Sequence, residues 1–115
     1  MSLDIRLMVM RPTAIFDENI THNLGRMASE VKLDNGLTLY NILWRPDECE
    51  PPLQKAGDIA ELLDQALNIL IQDKDRLKQY NPVNSWGNYY SLAELVIKYR
   101  NAARAEPQAD IEVCR

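Results

Sequence analysis

The chain has 115 residues, 46% hydrophobic and 26% charged, with a formal net charge of −4. Size and composition predict one globular domain over residues 1–115 that buries roughly 65% of its unfolded surface without staples. The acidic balance excludes a general nucleic-acid binder, which needs a basic face, and is too mild for a nucleic-acid mimic.

Ile5, Leu7 and Val9 alternate with Arg6, Met8 and Met10. Both sets are largely apolar after Arg6, which predicts a strand covered on two sides. Pro12 interrupts it at an edge or bulge, residues 14–16 resume it, and Asp17, Glu18 and Asn19 read as a turn. Thr21 is a suitable N-cap for a short helix over residues 22–31, with Leu24, Met27, Ala28 and Val31 on one face and Gly25 weakening it. Asp34, Asn35 and Gly36 are a strong turn signal. Leu37, Tyr40, Leu43 and Trp44 follow at helical spacing as far as Pro46; a hairpin strand over residues 37–39 is the alternative.

Residues 47–54 carry three acids with Pro51 and Pro52, the composition of an exposed connector. Asp58 and Glu61 look like a capping box before the stripe Ile59, Leu62, Leu63, Ala66, Leu67 and Leu70. Residues 76–80 add a further helical turn. Ser91 and Glu94 form a second box before Leu92, Leu95, Val96, Tyr99 and Ala103, and Pro107 stops that helix. Residues 110–114 alternate as a short strand whose natural partner is the first. The expected fold is α+β, a small helical domain with a short sheet pairing the N- and C-terminal strands.

No signal-peptide core is visible, and Glu61, Asp64, Gln65 and Asn68 break the longest apolar run, so no membrane span is expected. The two isolated cysteines, Cys49 and Cys114, lack metal spacing. They point to a reduced cytoplasmic protein, with a single disulfide as the alternative.

The segment of residues 81–90 holds Trp86, Tyr89 and Tyr90 with Asn81, Asn84 and Asn88. A loop so rich in rings must bury them against the core or a partner. Aromatic faces stack bases and amides read their edges, so Asn84, Ser85, Trp86 and Tyr89 are candidate binding residues. Gly87 suits a positive φ or a close backbone approach. The plainer reading makes Trp86 and Tyr89 a plug of the helical core. His22, the sole histidine, stands among Asn19, Thr21 and Asn23. It suits a ligand contact or a general base, while the plainer reading is a residue beside a helix cap. Arg45 follows Trp44 and suits a phosphate or carboxylate, or else a surface ion pair. Asp58, Glu61 and Asp64 read as a solvated helix face. P-loop, dinucleotide, H-E-x-x-H and C-x-x-C motifs are missing, so no catalytic group, cofactor or metal is expected.

Read together, Asn19-Ile20-Thr21-His22-Asn23-Leu24, Trp44-Arg45-Pro46 and Asn81-Pro82-Val83-Asn84-Ser85-Trp86-Gly87, with the ending from Pro107 to Val113, resemble a group of small tailed-bacteriophage proteins. The pattern in that group runs N-I-T-H-N, W-R-P, N-P-x-N-G-W-G-x-Y and P-x-A-x-I. Ser85 stands where the group has glycine, and the first strand is longer here. The resemblance carries no activity. It implies an accessory role in the host cytoplasm, directed at host machinery or defence.

The expected function is therefore non-enzymatic. Asn19, Thr21, His22, Asn23, Arg45, Asn84, Ser85, Trp86 and Tyr89 would line a pocket for a small polar or nucleotide-like ligand, its anion held by Arg45 or a helix N-terminus. The alternative is a module that docks its aromatic loop on a host protein and inhibits it. A homo-oligomer is compatible with either, and a small hydrolase using His22 as base is the remaining enzymatic reading.

Overall fold

A computed structural model describes residues 2–10, 13–82 and 87–115. Strand β1 (Ser2–Met10) is central in a three-stranded antiparallel sheet of order β2-β1-β3, flanked by β2 (Thr13–Thr21) and β3 (Asp110–Cys114). The first and last strands therefore pair as expected, Ile5 opposite Val113 and Leu7 opposite Ile111. Leu3, Ile5 and Leu7 are fully buried, whereas Asp4, Arg6 and Met8 keep contact with solvent. The sheet thus has one covered face, not two. Arg6 on the open face bridges the neighbouring strands through Asp17 (3.5 Å) and Glu112 (3.1 Å).

The expected turn at Asp17, Glu18 and Asn19 is strand: β2 runs through all three, opposite Arg6, Ile5 and Asp4. The open face explains this, because polar residues at Asp17 and Asn19 point to water without interrupting the ladder. Two register shifts near the hairpin end leave Ile15 and then Val9 without a cross-strand partner, and these bulged residues are 38% and 40% exposed. Expectations for Pro12 fall outside the described residues.

Thr21 caps a 3-10 turn (His22–Leu24) that leads into α1 (Gly25–Ser29). Both readings of the next stretch hold in part. Lys32 bridges Thr38 across the turn at Gly36 (φ +88°), and α2 (Leu39–Trp44) starts directly after, capped reciprocally by Thr38 and Asn41. Pro46–Glu48 form another 3-10 turn.

The long helix α3 (Ala56–Gln72) has its cap position at Lys55, three residues before the expected one. Asp58 is at the third helical position, and its carboxylate accepts from the Lys55 amide at 3.1 Å. The same offset recurs in α5 (Tyr89–Ala105), where Asn88 is the cap and Ser91 its reciprocal partner. Between them α4 is a single five-residue helix (Lys74–Lys78). Helix α5 packs on α3 and β2. Asp64 of α3 holds Arg100 and Arg104 of α5, each at 3.1 Å, and Tyr99 stacks on Phe16 at 5.0 Å. Ile59, Leu63, Ala66, Leu67 and Leu70 join one core with the covered sheet face, while Leu62 is only partly buried.

Cys49 is buried and Cys114 exposed, both as free thiols. No helix among the described residues is long and apolar enough to cross a membrane.

Candidate functional site

Thr21 ends β2 in an extended conformation, and its hydroxyl accepts from the Asn23 amide at 3.3 Å. This cap turns the chain sharply and presents His22 toward the end of α2. There the Trp44 indole N–H donates to His22 Nδ1 at 2.6 Å. Trp44 is 2% exposed and stacks on Tyr40 with ring centroids 5.3 Å apart. A buried indole needs an acceptor, and His22 supplies it. The bond occupies the Nδ1 lone pair, so the neutral ring carries its proton on Nε2.

On its other side the same turn meets the start of α5. Gly87 has φ +87°, and a Cβ there would lie 2.9 Å from Thr21 Cγ2 and 3.0 Å from Leu24 Cδ1. Positive φ and close approach both demand glycine at this point. Next to this contact a groove of about 330 Å³ opens between β2 and α5, lined by Glu18, Thr21, Gly87, Ser91, Glu94 and Lys98. Lys98 is paired with Glu94 at 2.9 Å, so the groove offers hydroxyls, carboxylates and one neutralised cation rather than a free positive charge.

The predicted residues are placed as follows. Asn19 lines the groove beside Thr21 and donates to Ser2 Oγ (2.8 Å) and Asp4 Oδ1 (2.7 Å). Thr21 lines the groove, while Asn23 is exposed and engaged through its backbone. Arg45 pairs with Glu48 at 2.9 Å, and the Tyr40 hydroxyl and the Glu48 carboxylate raise its pKa further. It lines a separate hollow of about 450 Å³ with Tyr40, Asn41 and Cys49. Burial, with lesser help from Asp47 and Glu48, pushes the Cys49 thiol up. Tyr89 sits in the core rather than in an open pocket, its hydroxyl donating to the Leu70 carbonyl at 2.5 Å. Burial raises that phenol. Asn84, Ser85 and Trp86 lie outside the described residues.

The three motif segments therefore do meet at the His22–Leu24 turn, through Trp44 on one side and Gly87 on the other. Of the described side chains expected to share one pocket, Asn19 and Thr21 line the groove together, whereas Arg45 lines a different hollow. Sequence reasoning missed Glu18, Ser91, Glu94 and Lys98. The spacing of the last three along one helical face was the available signal. Among the described residues no group of three His, Cys, Asp or Glu side chains is placed to hold a metal ion.

No family model, curated protein or solved structure matches the chain.

Proposed function

We propose that the protein is a non-catalytic binding protein for a small polar or nucleotide-like ligand. In keeping with its bacteriophage-like motifs, it would act as an accessory factor in the host cytoplasm that counters host defence. The observation that carries the reading is the contact of Gly87 with Thr21 and Leu24. Two segments far apart in sequence, both rich in hydroxyls and amides, are clamped together with no space for a side chain. The groove beside them is polar and open. A structural plug alone would not require such a clamp beside a hollow.

Calorimetric titration of the full chain with nucleoside mono-, di- and triphosphates and cyclic dinucleotides tests this. Binding by the wild type that weakens in Ser91→Ala and Thr21→Val is the expected result. A chain that binds none of these, or whose variants bind equally well, overturns it.

A second reading, docking on a host protein, is favoured by Ile71 and Tyr90, which are 63% and 53% exposed. Large apolar side chains this open are typical anchors of protein interfaces. Capture of one defined host protein, lost in Ile71→Asp, would favour this reading over the first.

A further inference from the structure

Two lysines of α4 converge on one phenol. Lys74 and Lys78 stand one helical turn apart. Their ammonium nitrogens lie 5.0 Å and 4.9 Å from the centroid of the Tyr90 ring at the start of α5. Neither is ion-paired with a carboxylate among the described residues. The neighbouring cation behaves differently: Arg76 is neutralised by Asp73 (3.1 Å) and Glu30 (3.5 Å). Asp75 has the smallest of the influences acting on Lys74.

The two like charges repel each other across one helical turn, and contact with the Tyr90 ring offsets that repulsion. In a chain of net charge −4, acids to neutralise both lysines are plentiful, yet none among the described residues comes within ion-pair distance of either. What faces the two ammonium groups instead is the phenol of Tyr90, itself 53% exposed. The positive end of the 17-residue helix α5 adds to the field.

We propose that Lys74, Lys78 and Tyr90 form a site for the phosphate group of a small phosphorylated ligand. A carboxylate is neutralised by one ammonium group, whereas a phosphate monoester or pyrophosphate carries enough charge for both, and lysine binds phosphate as a point charge. The site is separate from the groove at Gly87, whose own cation is already paired, and it stands whether or not that groove is occupied. Its field is visible in the phenol, since the ammonium groups of Lys78 and then Lys74 hold the Tyr90 pKa below its ordinary value.

The test is calorimetric titration of the full chain with sodium pyrophosphate and with adenosine triphosphate at constant ionic strength. The wild type should bind both, and the Lys74→Gln/Lys78→Gln double variant should bind about tenfold or more weakly with its melting transition intact. Tighter binding of the nucleotide supports the proposal with a nucleotide as the source of the phosphate. Equal binding supports it with the phosphate group alone as the determinant. A second readout is the ultraviolet titration of Tyr90, taken as the difference from Tyr90→Phe. Saturation with pyrophosphate should move it upward, because the bound anion draws the ammonium charge away from the phenol. This wild-type measurement decides the matter should the double variant fail to fold. Absence of pyrophosphate binding, equal binding by the double variant, or an unmoved phenol overturns the site. So does binding confined to a single-stranded oligonucleotide with which pyrophosphate does not compete.

Discussion

The Trp44 indole and the His22 imidazole are joined by a 2.6 Å hydrogen bond that ties the end of β2 to the end of α2. The donor is almost wholly buried. Losing the acceptor therefore strands an N–H with no access to water. His22→Ala should cost about 1–3 kcal/mol, the usual penalty for a buried unpaired donor. Trp44→Phe in that background should cost less than in the wild type, giving a coupling of about 0.5–1.5 kcal/mol in a double-mutant cycle. Denaturant unfolding of the four proteins measures it, and a coupling of zero would show that the bond adds nothing to stability.

Tyr99 presents the opposite situation. Its hydroxyl is buried in the core with no hydrogen-bond partner among the described residues, and burial alone raises its pKa well above the ordinary tyrosine value. Removing an unsatisfied hydroxyl while keeping the ring on Phe16 should be neutral or stabilising by up to about 1 kcal/mol at neutral pH. Tyr99→Phe should also change the alkaline limb. The unfolded phenol ionises near pH 10 while the folded one holds its proton. The folded state then binds more protons, and stability falls as pH rises from about 10 toward the raised pKa, by up to about 1.4 kcal/mol per unit. The difference in unfolding free energy between variant and wild type should therefore widen in favour of Tyr99→Phe above pH 10. A Tyr99→Phe protein markedly less stable at pH 7 would contradict the orphaned hydroxyl.

Gly36 and Gly87 share nearly the same backbone twist, φ +88° and +87°. Only Gly87 is crowded: a Cβ at Gly36 meets nothing within 4 Å. Gly36→Ala should thus cost only the left-handed strain, about 1 kcal/mol. Gly87→Ala should add the displacement of Thr21 and Leu24, for a total of about 2–4 kcal/mol. Comparing the two melting curves separates backbone strain from contact, and equal losses would mean that the Thr21 turn yields freely.

Truncation after Ala109 removes β3 and Arg115. It strips one edge of β1 of its ladder, uncovers Ile5 and Leu7, and deletes the pairing of Arg115 with Asp47 at 2.8 Å. The expected loss is several kcal/mol. A truncated chain with an unchanged melting transition would show that β3 is only loosely held.

The elements with strict periodicity were readable from residues alone: β1, α3, α5 and β3 all stand where the apolar spacing puts them. The helix starts were displaced by three residues for a common reason. A polar residue suits either end of a capping turn, and Asp58 and Ser91 are both at the far end: Ser91 answers the side chain of Asn88, and the Asp58 carboxylate accepts from the Lys55 amide. Pattern alone does not say which end is which. Residues 17–19 were misread because a strand with one wet face tolerates the same polar triplet as a turn. At the site, the importance of His22, Trp44 and Gly87 was legible. Their partners were not, since the pairs His22 with Trp44 and Thr21 with Gly87 are set by how β2, α2 and α5 come together. Arg45 and Tyr89 were drawn into the expected pocket by residue type, but a nearer acid holds one and the core holds the other.

The placement of β1 between β2 and β3 has a consequence for biosynthesis. At roughly 5–20 residues per second, a ribosome produces β3 on the order of ten seconds after β1. A β1–β2 hairpin formed in that interval has one rim of β1 unpaired and the side chains of Leu3, Ile5 and Leu7 lacking most of their cover. The bulges at Val9 and Ile15 twist the hairpin end, and Arg6 puts a charge on the open face midway along β1. Both features discourage a second nascent chain from adding its own strand there. The irregularities that spoil the register of the mature sheet are thus suited to guarding the chain while it is still incomplete.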